Sequence, residues 1–504
     1  MKTLTVFSRL IHREPRIRNR LFYQDVGRHR PPLFHLAVHP HQLPLWVQHS
    51  PIAMRYLRFL GPLAWERVPS RDRAQTPPIA PLPYTPFLAA CLVKVDQQMA
   101  SMAQLRRYLV EHPALTWALG FPLVPSAMPP RREEVERSVP THRHLTRMLR
   151  TMPNSILQGL LDSTVSRLRE ALPPDVPFGQ AISLDTKHIL AWVKENNPKA
   201  YIQQDERHNP GRQPAGDPDC RLGCKKRRNQ RPAGQKPLTT PQGNPVPASS
   251  CKVGEWYWGY GTGVVATKVP KWGEFVLAEL TQTFDKSDVS YFFPLIKATT
   301  RRLGVHPTFG AFDAAFDAFY VYEEFYTEGG EGFAAVPRVQ RGPTPIRRFN
   351  DDGLPLCGAG LAMPLKGTFW AKTAFVPHEK GRYACPLLYP AVTGDLCPIA
   401  HTHWDNGGCV TTIPTCIGAR LRHQLDRDSE AYKAVYKQRT ATERINSQAV
   451  ELGIERPKLR NGHAIANHNT LIYIVMNLRA LQRVQQKALK NTVSMPSEAV
   501  SQQS

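Results

Sequence analysis

Three acidic residues far apart in the chain have the types and placement for phosphoryl chemistry. Near the C-terminus, Tyr436, Arg439 and Glu443 stand at i, i+3 and i+7, a spacing that stacks all three on one face of a helix. Such a face offers a carboxylate to a metal ion, with a guanidinium one turn away that can hold a phosphate oxygen. Upstream, Asp185 closes the apolar run 181–184 and Asp313 closes the apolar run 309–312, and both runs read as buried strands. Acids at strand ends project from the rim of a sheet, where open α/β sheets build their sites. Two strand acids and one helix acid can hold a pair of Mg²⁺ ions, with Mn²⁺ as a substitute, because hard cations prefer carboxylate oxygens. A metal pair stabilises both the attacking and the leaving oxygen of an in-line phosphoryl displacement. Singly, each acid reads as an ordinary strand-end or surface carboxylate; the case rests on the three together. Asp317 competes with Asp313 for the second place, but it reads as a cap of the next helix.

These segments resemble the three blocks of DDE transposases of prokaryotic insertion sequences. Asp185 heads the first block. The stretch from Phe312 and Asp313 to Asp317, with the apolar run before Arg338, resembles the second, and Tyr436-x2-Arg439-x3-Glu443 matches the tyrosine–arginine–glutamate signature of the third. The lysine that the family places seven residues after the glutamate is Val450 here, so one DNA-contacting role is unfilled or moved. The resemblance implies an RNase H-like catalytic core, with Asp185, Asp313 and Glu443 as catalytic residues and metal ligands. It implies Mg²⁺-dependent cleavage at element ends followed by strand transfer, on double-stranded DNA and in a homodimer. Alternatives are a nuclease of the same fold that hydrolyses without transfer, or a decayed transposase that retains only DNA binding.

The elements that must position these residues set the expected organisation. Residues 1–60, rich in Arg, His and Pro, read as a basic irregular leader. Residues 61–175 read as helices with interspersed arginines, suited to a DNA-binding domain or to a structural bundle. From 176 to 345 come three strands, a helix, a strand, a helix and a strand, and the Glu443 helix follows in 431–490. That element order is the one an RNase H-like α/β core with a mixed sheet requires. Two insertions interrupt it. Residues 205–250 read as a mobile basic loop. Residues 346–430 hold Cys385, Cys397, Cys409 and Cys416, which either ligate a structural Zn²⁺ or stand as isolated thiols. The Ser/Gln-rich tail 491–504 reads as disordered.

The charge balance agrees with a polyanionic partner. Of 504 residues, 65 are Lys or Arg against 41 Asp or Glu, a net charge of +24. Lys187, Lys225, Lys226, Arg227 and Arg228 are candidate phosphate contacts, beside Tyr436 and Arg439. No window has the apolar length of a membrane span and no secretory leader is evident, so a cytoplasmic, nucleoid-associated protein is expected. Its 9 cysteines are then reduced thiols or metal ligands.

Overall fold

The computed structural model describes residues 40–69, 71, 82–123, 128–227, 253–327, 331–338 and 347–493. Most of the expected leader, Arg228 with much of the basic insertion, and nearly all of the tail lie outside them. Within them the fold is mixed α/β, built on a mixed sheet.

The sheet is laid down by one long strand. β1 (Ala181–Leu190) pairs antiparallel with β3 (Val253–Val269), whose far edge is shared by β2 (Arg221–Arg227) and β4 (Gly273–Thr283). On its other side β1 pairs in parallel with β5 (Phe309–Ala311), and β5 with β6 (Phe333–Ala335). The order is therefore β2 and β4 on β3, then β1, β5 and β6. Register fixes what matters for the site. Ser183 lies opposite Ala311, so Asp185 and Asp313, each two residues further on, leave neighbouring parallel strands at the same level.

β2 is a departure from expectation. The loop expected to be mobile carries a strand, and Arg207 anchors the segment before it by donating to the carbonyls of Glu195, Asn197 and Ala200. Tyr260 also donates to Asp217 at 2.8 Å, fixing the turn that leads into β2. Lys225, Lys226 and Arg227 thus ride on a sheet edge. A strand held by pairing with residues thirty positions away leaves little local periodicity to read.

Helices cover both faces. The N-terminal set comprises α1 (Pro51–Leu60), α2 (Tyr84–Asp96), α3 (Met102–Glu111), α4 (Pro113–Ala118), α5 (Arg132–Ser138), α6 (His142–Thr151) and α7 (Asn154–Ala171). The boundary of the irregular leader is corrected here. Ser50 caps α1 by accepting from the Ala53 N–H, Pro51 opens it, and Ala53, Tyr56, Leu57 and Leu60 bury one stripe at helical spacing.

The core elements are α8 (Phe292–Leu303), α9 (Phe319–Glu324), α10 (Ile417–Gln424), α11 (Glu430–Tyr436), α12 (Thr440–Glu451) and α13 (Gly462–Val493). A 3-10 segment, Asp288–Tyr291, leads into α8, which starts at Phe292 and ends on Gly304, whose φ of 72° suits a residue without a Cβ. One face of β1 and β3 packs Leu184 and Val265 against Phe292 and Leu295 of α8. The other packs Ile189, Val264 and Ala266 against Ile445 of α12 and against α13, in a core that continues into α1–α6. The helical region therefore shares its hydrophobic core with the sheet and is not a separately packed body.

The second insertion contains a three-stranded antiparallel sheet of β7 (Leu365–Ala371), β8 (His378–Ala384) and β9 (Val410–Pro414). It returns to the core through α10, which lies close against α9. A Cβ built on Gly418 would stand 2.2 Å from the Phe319 carbonyl oxygen. Gly418→Ala should accordingly lower stability by about 1–3 kcal/mol through overpacking, read as a lower urea midpoint at constant slope.

Candidate active site

Asp185 sits midway along β1, half-buried, and both its oxygens are held. Oδ1 accepts from the Thr186 N–H at 2.8 Å, and Oδ2 accepts from Asn446 Nδ2 at 2.9 Å. Asp313 follows β5 and caps the 3-10 turn Ala314–Phe316, accepting from the Ala315 N–H at 2.8 Å. The two carboxylates feel one another. Burial pushes the Asp185 carboxyl up to about 6 and the Asp313 charge pushes it in the same direction, while the Thr186 N–H, Arg439 and Asn446 pull it down. An acid pair with one member in low dielectric is a site that a cation would relieve.

The third acid approaches from α12 but does not close the triad. Glu443 pairs with Arg439 at 2.5 Å. One turn on, and on the same helix face, Asn446 makes the direct contact to Asp185. Among the described residues, no group of three or more His, Cys, Asp or Glu side chains is arranged to hold a metal. The physical reason at this site is charge. Arg439 acts on Asp185 and binds Glu443 at once, so the Glu443 carboxylate already has its counter-charge without moving closer to the other two acids.

The donor set nevertheless fits a hard divalent cation. Asp185 and Asp313 supply carboxylate oxygens, and Asn446 Oδ1 is buried without a hydrogen-bond partner beside Asp185. An orphaned amide oxygen is costly in a protein interior, and it is a Mg²⁺ ligand type. Asn446 was missed from the sequence, because an asparagine on a helix carries no signal until its partner strand is known.

The remaining expected residues are distributed as follows. The helix read over Tyr436 to Glu443 is broken by a 3-10 turn, Lys437–Arg439, yet Arg439 still lies over the Tyr436 ring, 5.8 Å from its centroid, and Tyr436 stacks on Tyr432. Lys187, expected to reach DNA, is engaged by Glu455 at 2.6 Å. Lys225 lines the central cavity. Lys226 and Arg227 are placed by their backbone only, on β2, and Arg228 lies outside the described residues. Asp317, the rival second acid, is held by its partners: its side chain is 1% exposed, Arg422 grips both oxygens at 2.7–2.8 Å, and Tyr322 donates to it.

The expected zinc set is not assembled. Cys409 packs against Cys385 and against Cys357, a residue outside that set, and burial with its thiol neighbours pushes Cys409 up to about 12. Cys416 stands apart at the start of α10, beside Glu323. Chain positions alone did not say which thiols would meet.

Asp185 and Asp313 open into a cavity of about 1090 Å³ that also exposes His188, Lys225 and Lys286. Its lining carries both acidic and basic side chains. Neither the protein-family models searched nor the curated proteins searched contain a match to this sequence. Among the described residues, no helix is long and apolar enough to cross a membrane.

The raised Asp185 value has a consequence for stability. An unfolded aspartate titrates near 4, so between about pH 4 and 6 the native state holds more protons and stability falls as pH rises. Above pH 6 the native chain carries the buried charge. In metal-free buffer, Asp185→Asn should therefore be more stable than wild type at pH 8 by on the order of 2 kcal/mol, with no difference at pH 4. Equal urea midpoints at pH 8 would contradict the burial argument.

Proposed function

We propose that this chain is a metal-dependent DNA transposase of the DDE type, acting in the cytoplasm on nucleoid DNA. The observation that carries the reading is the juxtaposition of Asp185 and Asp313 at equal height on neighbouring parallel strands, beside a helix that bears Glu443 and Asn446 and is preceded by Arg439. The sheet order supports an RNase H-like core: three antiparallel strands (β4, β3, β1) followed by two parallel ones (β5, β6), then the acid-bearing helix. The net charge of +24 supports a polyanionic substrate.

Asp185, Asp313 and Asn446 would hold Mg²⁺, with Glu443 joining once Arg439 releases it. The metal would supply charge stabilisation at the phosphoryl oxygens and an activated oxygen nucleophile. This chain's own residues do the positioning. Asn446 and the Thr186 N–H hold the Asp185 carboxylate in place, the Ala315 N–H fixes Asp313, and Arg439 is free to turn toward a phosphate when Glu443 changes partner. Water would cut one strand at an element end, and the freed 3′-hydroxyl would attack target DNA, exchanging one phosphodiester for another. Two ends held together require a second copy of the chain, so a homodimer on DNA is part of the proposal.

The test uses duplexes that carry the sequence flanking the gene, supplied both intact and pre-cut, with Mg²⁺ or Mn²⁺. Joined products from pre-cut ends support transposition. Cutting without joining would leave a nuclease in its place.

A further inference from the structure

The cavity that holds the acid pair is also lined by basic side chains, and they come from distant parts of the chain. Arg338 follows β6, Arg347 begins the second insertion, and Arg422 and His423 lie on α10; all four line the same space as Asp185 and Asp313. Two arginines of this neighbourhood are already committed. Arg422 takes both oxygens of Asp317. Arg427, just beyond α10, donates to the Val336 carbonyl and to the Tyr322 hydroxyl.

Arg338 and Arg347 are different. Asp317 is the carboxylate that acts on Arg338, and its oxygens are shared with Arg422 and Tyr322. The side-chain bond made by Arg347 runs to the Thr412 carbonyl at 3.2 Å, a neutral acceptor. Both guanidiniums are pushed below their ordinary value, by burial first and by neighbouring arginines second. His423 is driven down to about 4 by burial and by Arg338, Arg422 and Arg347, so it is neutral at physiological pH. Its Nδ1 is buried with no hydrogen-bond partner. Two partly exposed guanidiniums gathered beside a ring nitrogen that has no hydrogen-bond partner suit an anion.

We propose that Arg338, Arg347 and His423 form a phosphate subsite that takes a backbone phosphate of the DNA lying across the acid pair. Guanidiniums bind phosphate bidentately, and a neutral imidazole still offers one N–H. The subsite joins the core to the insertion, because Arg338 follows β6 and Arg347 lies in the insertion, where it donates to the Thr412 carbonyl of β9. DNA entering the cavity would complete that joint. The proposal rests on the reading of the cavity as a DNA site, and it concerns binding rather than cutting.

The experiment measures binding without metal, so it stands whether or not the protein cleaves DNA. Full-length wild type, Arg347→Gln, Arg338→Gln/Arg347→Gln and Asp313→Asn are titrated with a mixed-sequence duplex by fluorescence anisotropy across a salt series. Inorganic pyrophosphate is titrated in parallel by thermal shift. The double variant should bind duplex at least about tenfold more weakly, and its slope of log K against log salt should fall by about 2. Asp313→Asn should bind at least as tightly as wild type, since it loses a negative charge. The pyrophosphate shift should be lost in the double variant. Arg347→Gln, whose bond to a carbonyl can be replaced by water, should show about half the change in slope, and it provides the reading should the double variant fail to fold. Unchanged duplex affinity and slope in both arginine variants overturn the proposal. Loss of the pyrophosphate shift with duplex binding intact overturns it too, and would leave a site for a free anion.

Discussion

Asp313→Asn should reduce Mg²⁺-dependent cutting by about a thousandfold or more while leaving the fold untouched. The substitution removes one negative charge and keeps the shape of the side chain. Asparagine accepts the Ala315 N–H as well as aspartate does, so the 3-10 turn that Asp313 caps remains. What is lost is one of the two carboxylates that the register of β1 and β5 sets side by side. Charge stabilisation by bound metal is worth several kcal/mol, and 4 kcal/mol corresponds to roughly a thousandfold in rate. The measurement is single-turnover cleavage of an end-bearing duplex, alongside a urea titration to show equal stability. Cutting at the wild-type rate would reject Asp313 as a ligand. Asp317→Asn separates the alternatives: it should lower stability by loosening the Arg422 clamp, and its residual cutting should follow the folded fraction.

Asp96→Ala should cost about 3–5 kcal/mol of stability, a large share of the 5–15 kcal/mol typical of a folded protein. Asp96 ends α2 with its side chain 1% exposed. It accepts from Arg55 at 2.7 Å and Tyr56 at 2.8 Å, both on α1, and from Arg479 on α13 at 2.9 Å. Arg479 also donates to the Asp96 carbonyl. One carboxylate thus ties together three helices that are far apart in sequence. Alanine would leave the Tyr56 hydroxyl buried without its acceptor and two guanidiniums without a counter-charge. Asp96→Asn should recover part of the loss, because an amide oxygen still accepts. Chemical denaturation measures both; a cost below about 1 kcal/mol for alanine would show that the cluster contributes little.

The two acids of the proposed site illustrate what can be read from a chain and what cannot. Apolar runs ending in Asp185 and Asp313 announced strands, and strands form there, but β1 runs on past Asp185 to Leu190, so that acid stands mid-strand rather than at a strand end. A short apolar run is a local property and needs no knowledge of partners. The stripe of Ala53, Tyr56, Leu57 and Leu60 is equally local, but it is embedded in a stretch whose Arg, His and Pro content is that of an irregular segment. β2 is a different case, since its edge is defined by the strand it pairs with.

Local chemistry and periodicity determined the elements of this protein: an α/β chain, acids on two strands and on one helix, and a strongly basic surface. Tertiary structure alone decided which groups meet. It set Asp185 level with Asp313, turned Glu443 toward Arg439, brought Asn446 to Asp185, locked Asp317 under Arg422, and gathered Arg338, Arg347 and His423 from three segments. The reason is that propensity and burial patterns act over a few residues, whereas charge pairing and strand register are settled between segments separated by a hundred or more, where many pairings are compatible with the same local pattern.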